Sequence, residues 1–423
     1  MTSATDKKSP WSWVPSLYFA QAIPYVVVMI LAGTMYKNFG FSNDDIAYYT
    51  SWLYLPWVIK PLWSPLIELF RTKRLWIVAL QLIIGATLAL VAFTTPLPRF
   101  FQASLAVFWL MAFSSATHDI AADGFYMLGL PQHQQAALVG VRSTFYRFGM
   151  IASQGGLVYL AGRLMENGAT PQSAWAVVMA ILSGLFFLLG AYHLWMLPRP
   201  PLDGPTARGA SPLREFGTTF AAFFKKKDIG TILAFLLLFR LGEAQLLKMA
   251  TPFMLDPPAK GGLGLSTAQV GLAYGTFGVI ALTLGGLLGG YVISRFGLKR
   301  CLWIMVLAVH LPDLVFVYLA TALPTHIVLV TAAISLEQFG YGFGFAAYML
   351  YMIMVADGAH KTAHYAICTG FMALGMMLPG MVSGRIQQYL GYQHFFVWVC
   401  IATIPAFVLT ARLKIDPGFG KKA

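Results

Sequence analysis

Nine ionisable side chains stand inside long apolar runs of this sequence: Lys60, Asp119, Asp123, Arg142, Arg147, Arg240, Glu243, Asp313 and Glu337, with Asp357 near the end of another. Acids and bases in apolar surroundings bind and release protons, pair with one another, or hold a charged solute. Arg240 and Glu243 are three residues apart and so adjacent on a helix. Asp119 and Asp123 are four apart and share one helix face. Glu337 has no base beside it, and a lone carboxyl deep in an apolar run favours its neutral form, which suits a proton carrier. Competing chemistries are absent. Cys301, Cys368 and Cys400 form no paired spacing, so no metal or cofactor is expected. His118 and Asp123 make an H-x4-D pattern of the acyltransferase kind, but on one helix they point about 140° apart. No GxSxG, Walker or HExxH motif occurs, and the chain is not expected to be an enzyme.

The elements that hold these residues follow from composition. Of 423 residues, 58% are hydrophobic and 11% charged, against roughly 45–50% and about 25% in a soluble domain. Sixteen acids and 29 bases cannot coat two or three soluble domains of this length. The chain reads as an all-α integral membrane protein. Twelve apolar stretches are long enough to span: 12–36, 45–66, 75–95, 101–128, 136–162, 172–197, 228–255, 267–293, 300–322, 325–356, 361–388 and 391–413. Barrel strands would be about half that length with alternating polarity. The start, MTSATDKKSP, is too polar for a cleaved leader, so the first run is expected to stay as a span. The Pro-, Gly- and base-rich stretch 198–227 divides the chain into a six-helix bundle over 1–197 and another over 228–423.

Charge gives the expected orientation. With a cytoplasmic N-terminus, nineteen Lys and Arg near span ends face the cytoplasm and four, Lys37, Arg99, Arg163 and Lys260, face outward. Both termini are then inside, and most of the net charge of +13 is topology and lipid contact rather than nucleic-acid binding. Depth can be counted as well. Spans 4 and 5 turn near Gln132, and Asp123 and Arg142 lie nine and ten residues from that point. Asp119 and Arg147 lie thirteen and fifteen away, so each acid is level with a base and at least one cross-helix ion pair is expected. Arg240 and Glu243 fall about 18–23 Å into span 7, and Glu337 about 17 Å from the outer end of span 10. Transporters place their sites near that midplane. Gly340, Gly342 and Gly344 allow close backbone approach or bending beside Glu337, and Tyr341, Phe343 and Phe345 offer faces for a sugar ring. Gln21 and Tyr25 share a face of span 1 around Pro24, and Lys60 can snorkel toward headgroups.

An internal repeat supports two halves. SPLIELFRTKR (64–74) and GGYVISRFGLKR (289–300) follow the second span of each half, and Phe70, Lys73 and Arg74 match Phe296, Lys299 and Arg300 at one offset. This signature resembles the major facilitator superfamily, in which a Gly, an Asp and then R-x-G-R-R occupy that loop; the first copy departs with Ser64 and Glu68. The resemblance implies a twelve-helix transporter fold with a central cavity, and a gating role for Glu68, Arg71, Arg74, Arg295 and Arg300.

Four further stretches, KPLWSPLIE (60–68), SSATHDIAADGFYML (114–128), STFYRFGMIASQGGL (143–157) and EQFGYGFGFAAYML (337–350), resemble the AmpG-like muropeptide permeases and their relatives, the acetyl-coenzyme A transporters. The resemblance implies a bacterial inner-membrane symporter that imports anhydro-muropeptides, sugar-containing fragments of peptidoglycan recycling, with protons. An acetyl-coenzyme A or other anionic-metabolite transporter and a passive facilitator are the alternatives. By motif match, Asp119, Asp123, Tyr146, Arg147 and Glu337 carry over. Joined to the residue reading, proton coupling falls to Glu337, Asp119, Asp123 and Glu243. Substrate contact falls to Gln21, Tyr25, Tyr146, Arg147, Arg240 and Tyr341, with Arg142 in an ion pair. The expected partners are a small solute, protons and membrane lipids, and the chain is expected to work as a monomer.

Overall fold

The computed structural model describes residues 8–201, 203–204, 212–357 and 361–421, which contain helices and no strand. Nine helices among the described residues are long and apolar enough to cross a membrane. They are α1 (Pro10–Asn38), α3 (Lys73–Thr94), α4 (Phe100–Gly129), α6 (Pro171–Met196), α7 (Ile229–Leu255), α8 (Thr267–Phe296), α9 (Leu298–Ala322), α10 (Ile327–Ala356) and a long Ala363–Arg412 segment. That last segment turns at Gly391, whose φ of 71° no helix accommodates, and so holds α11 (361–390) and α12 (392–412). Two interrupted helices complete twelve: α2 (43–69), broken after Trp52, and α5 (132–166), which carries a π-turn over Ile151–Leu157. Local signals begin many of them. Ser42, Thr72 and Thr170 each accept a hydrogen bond from a first-turn amide, and Ser266 with Gln269 forms a capping box. Large apolar side chains such as Phe93, Leu188, Leu287 and Tyr291 stand on the outside, as lipid rather than water requires.

The described chain forms two compact units, residues 1–35 with 62–209, and 36–61 with 210–423. Chain order places residues 36–61 in the first bundle, yet they pack with the second unit. The stretch 198–227 is likewise more than a spacer. Within the first unit, the Asp203 carboxylate accepts the backbone amides of Lys73 and Arg74 at 2.7 and 3.1 Å, at the start of α3. Within the second, a helix over Pro212–Phe224 buries Phe223 against the core. The repeat is visible in the backbone. Arg71 and Gly297, at matching positions of the two copies, both have positive φ, 64° and 82°. Glycine takes that conformation freely, whereas arginine does so at a steric cost.

In the first unit α3 packs between α4 and α6, and α1 lies on α5 and α4. A polar chain crosses this core: Ser16 Oγ to His193 Nε2 at 2.9 Å, His193 Nδ1 to Gln81 Oε1 at 2.8 Å, and Gln81 Nε2 to His118 Nε2 at 3.1 Å. In the second unit α10 packs between α8 and α9. Its alternating glycines are the reason it can. A Cβ on Gly340 or Gly344 would strike the carbonyls of Ala308 or Met305 in α9, and one on Gly342 would strike the Leu282 carbonyl in α8. The helix runs unbroken, so these glycines serve close approach and not bending. Gly342→Ala is expected to cost about 1–3 kcal/mol by overpacking backbone that cannot yield, read as a fall in Tm in detergent.

Residues 36–61 are tied down by a buried polar cluster within the second unit. Lys37 Nζ meets Asp256 Oδ2 at 2.8 Å, and Tyr392 Oη donates to the same oxygen at 2.6 Å. Asn43 Nδ2 donates to Gln387 Oε1 and Tyr392 Oη, both at 2.8 Å, and Lys248 Nζ donates to Thr50 Oγ1 at 2.8 Å. Burial pushes the Asp256 carboxyl up, but hydrogen bonds from Lys37 and Tyr392, the Lys37 charge and Asn43 outweigh it and hold it below the ordinary carboxylate value. A depressed carboxyl stabilises the folded state fully above its unfolded value and loses that contribution as pH falls through the folded one. Asp256→Asn is therefore expected to cost about 1–3 kcal/mol at neutral pH. The Tm difference from the parent should shrink in acid; a difference constant with pH would contradict the assignment.

Candidate functional site

The first unit holds one assembled cluster. The cross-helix pair forms between Arg142 Nη2 and Asp123 Oδ1 at 2.8 Å, joining α5 to α4. Tyr18 Oη on α1 donates to the same Asp123 oxygen at 3.2 Å. The Arg142 guanidinium lies 4.4 Å from the Tyr18 ring centroid and 5.5 Å from that of Tyr126. A planar cation over two aromatic faces is held by the ring quadrupoles as well as by the carboxylate. Next to it, Asp119, Tyr25 and Arg147 are electrostatic neighbours of Tyr146. Arg147 Nη1 also lies 3.9 Å from Met150 Sδ. Gln21 is buried on α1, and its Oε1 has no hydrogen-bond partner. A buried carbonyl oxygen left unpaired is costly, and a donor arriving with a solute would satisfy it.

The second unit holds the other cluster. Arg240 interrupts α7 with non-helical backbone (φ −101°, ψ 19°), and Glu243 stands in the first turn that follows. There Arg240 Nε and Nη2 donate to the two oxygens of Glu243 at 3.0 and 2.5 Å, and Nη2 also donates to Tyr341 Oη at 2.8 Å. Phe345 presents its face 5.0 Å from the guanidinium. Glu337, Tyr341 and Phe345 recur every four residues, so one face of α10 meets α7. Glu337 is 1% exposed, and its Oε2 accepts from Gln338 Nε2 at 2.8 Å. Tyr274 of α8 and Asp313 of α9 are within electrostatic reach of Glu337.

The remaining candidates have other surroundings. Within the first unit, Arg74 donates to the carbonyls of Leu197 and Leu194 at the end of α6, a base neutralising a helix C-terminus. Among the described residues, Arg71, Arg295 and Arg300 make no ion pair. The Glu68 side chain lies outside the described residues. Phe343 stacks on Phe339, 6.5 Å between centroids, so that ring is engaged by protein. Sequence reasoning missed Tyr18, Tyr126, Tyr274 and His310. Tyr18 left a readable signal, since Tyr18, Gln21 and Tyr25 follow helical spacing on one face of α1.

No family model matches the chain. It is 24% identical over 412 residues to a protein named anhydromuropeptide permease in Escherichia coli, covering 93% of this chain and 77% of that one. It is also 24% identical over 415 residues to a Rickettsia conorii protein named as transporter AmpG 4, covering 94% and 95%. Among solved structures it superposes on the nucleoside transporter NupG with a TM-score of 0.71 at 19% identity, covering 95% of this chain and 98% of that one. A D-xylose-proton symporter gives 0.72 at 12% identity, covering 94% and 97%. The chain has the major facilitator fold and is similar along nearly its whole length to proteins named anhydromuropeptide permease or transporter AmpG. It is an integral membrane transporter and not an enzyme.

Proposed function

We propose that this transporter is a proton-coupled symporter for an anhydro-muropeptide or a related amino-sugar fragment, working as a monomer in a bacterial inner membrane with both termini in the cytoplasm. The observation that carries the coupling is Glu337, a carboxyl 1% exposed, hydrogen-bonded by a neutral amide, one turn from the Arg240–Glu243–Tyr341 group. Such a group takes up and gives back a proton as its surroundings alternate between wet and dry. Arg240 is pre-oriented by Glu243 and Tyr341 and supplies a planar donor for a carboxylate of the solute. In the first unit, Gln21 offers an unsatisfied acceptor to a hydroxyl or amide, and Tyr25, Tyr146 and Arg147 add donors. Asp123 serves coupling by releasing Arg142 and Tyr18 when it is protonated. The sugar assignment draws on the similarity to the protein named anhydromuropeptide permease.

The test is uptake in a strain lacking its own permease, with labelled N-acetylglucosaminyl-anhydro-N-acetylmuramic acid, free amino sugars and acetyl-coenzyme A offered side by side. The disaccharide should accumulate and the others should not. In vesicles, sugar entry should alkalinise the outside. Uptake of the disaccharide with no pH change would make the protein a facilitator, and preference for acetyl-coenzyme A would displace the sugar reading.

A further inference from the structure

Glu337 is not the only acid in the interior of the second unit that its bases leave unmatched. Asp313 sits in α9 where Leu311–Asp313 tightens into a 3-10 turn at Pro312. It is 1% exposed, and its Oδ2 has no hydrogen-bond partner. One turn earlier His310 is 3% exposed, and neither of its ring nitrogens has a partner. The imidazole lies between the rings of Phe239 and Phe407, at 5.2 and 5.6 Å. Pro312, next to Asp313 in that turn, abuts Gly340 of α10, one turn from Glu337.

The groups facing Asp313 can be named element by element. Glu243 comes from α7, Glu337 from α10 and Cys400 from α12, while Arg240 bears on His310. Three carboxyls thus share an interior with one guanidinium, and Glu243 already engages two nitrogens of that guanidinium. Two negative charges would be left without a counter-ion if all three were ionised. An interior of this kind excludes uncompensated charge and takes protons instead.

We propose that Asp313 is a second proton-carrying carboxyl of this transporter, alongside Glu337. Its use in coupling rests on the symport reading, but the presence of the proton does not.

Infrared difference spectroscopy of the purified protein in lipid reads protonated carboxyls directly and needs no solute. The parent should lose two carboxylic C=O bands as pH is raised, Glu337→Gln should lack one of them, and Asp313→Asn the other. An Asp313→Asn spectrum identical to the parent's would overturn the proposal. Should that variant not fold, Asp313→Glu keeps the acid and should move one band; an unmoved band would count equally against it. In vesicles supplied with the anhydro-disaccharide, the proton-to-sugar ratio of Asp313→Asn should be half the parent's, and an unchanged ratio would remove Asp313 from coupling. A parent that keeps both bands but moves no protons with sugar would defeat the symport reading alone.

Discussion

Glu337→Gln is expected to abolish accumulation of the anhydro-disaccharide against its gradient while leaving exchange of labelled for unlabelled sugar intact. Glutamine has the shape of the neutral acid and can still hydrogen-bond Gln338, so packing against α7 and α8 is retained. What disappears is the proton that can leave. A carrier unable to release it moves sugar in both directions without drawing on the proton gradient. Concentrative uptake and counterflow measured on the same vesicles separate the two activities. Concentrative uptake at the parent's level would refute the assignment of Glu337.

Arg240→Ala carries the second large expected effect, on stability and transport together. The Arg240 and Glu243 side chains are 8% and 2% exposed, so removing the base strands a carboxylate in an apolar interior. Loss of one partner from such a pair costs about 3–5 kcal/mol. The variant should show a Tm well below the parent's and no uptake. Arg240→Met with Glu243→Leu replaces the pair by apolar groups of comparable volume, which often restores stability. If Arg240 holds the solute's carboxylate, the double variant regains Tm but not transport. A double variant that transports like the parent would reduce the pair to packing.

Much of this protein was legible before any coordinates. Twelve spans follow from apolar length, because a helix must satisfy its own backbone in lipid and needs about 20 residues to cross it. The Arg240–Glu243 contact follows from a spacing of three, and Asp123 opposite Arg142 from residue counts on either side of the Gln132 turn; both pairs lie within hydrogen-bonding distance. Such counts work because rise per residue is constant, so sequence position converts to height along a span.

Height alone does not say which way a residue faces or which helix stands beside it. Nothing local told Asn43 that it would bond Gln387 and Tyr392, more than 300 residues away, or that residues 36–61 would leave their half of the chain for the second unit. Nor did spacing reveal that Asp313 turns toward the interior occupied by Glu337 and Glu243. The spans, the repeat and the level of Asp123 with Arg142 could be read from residue order because each depends on helix geometry alone. The partners could not. Neighbours are chosen by packing, such as the glycine contacts that draw α8, α9 and α10 together, and packing involves the whole surface of each helix.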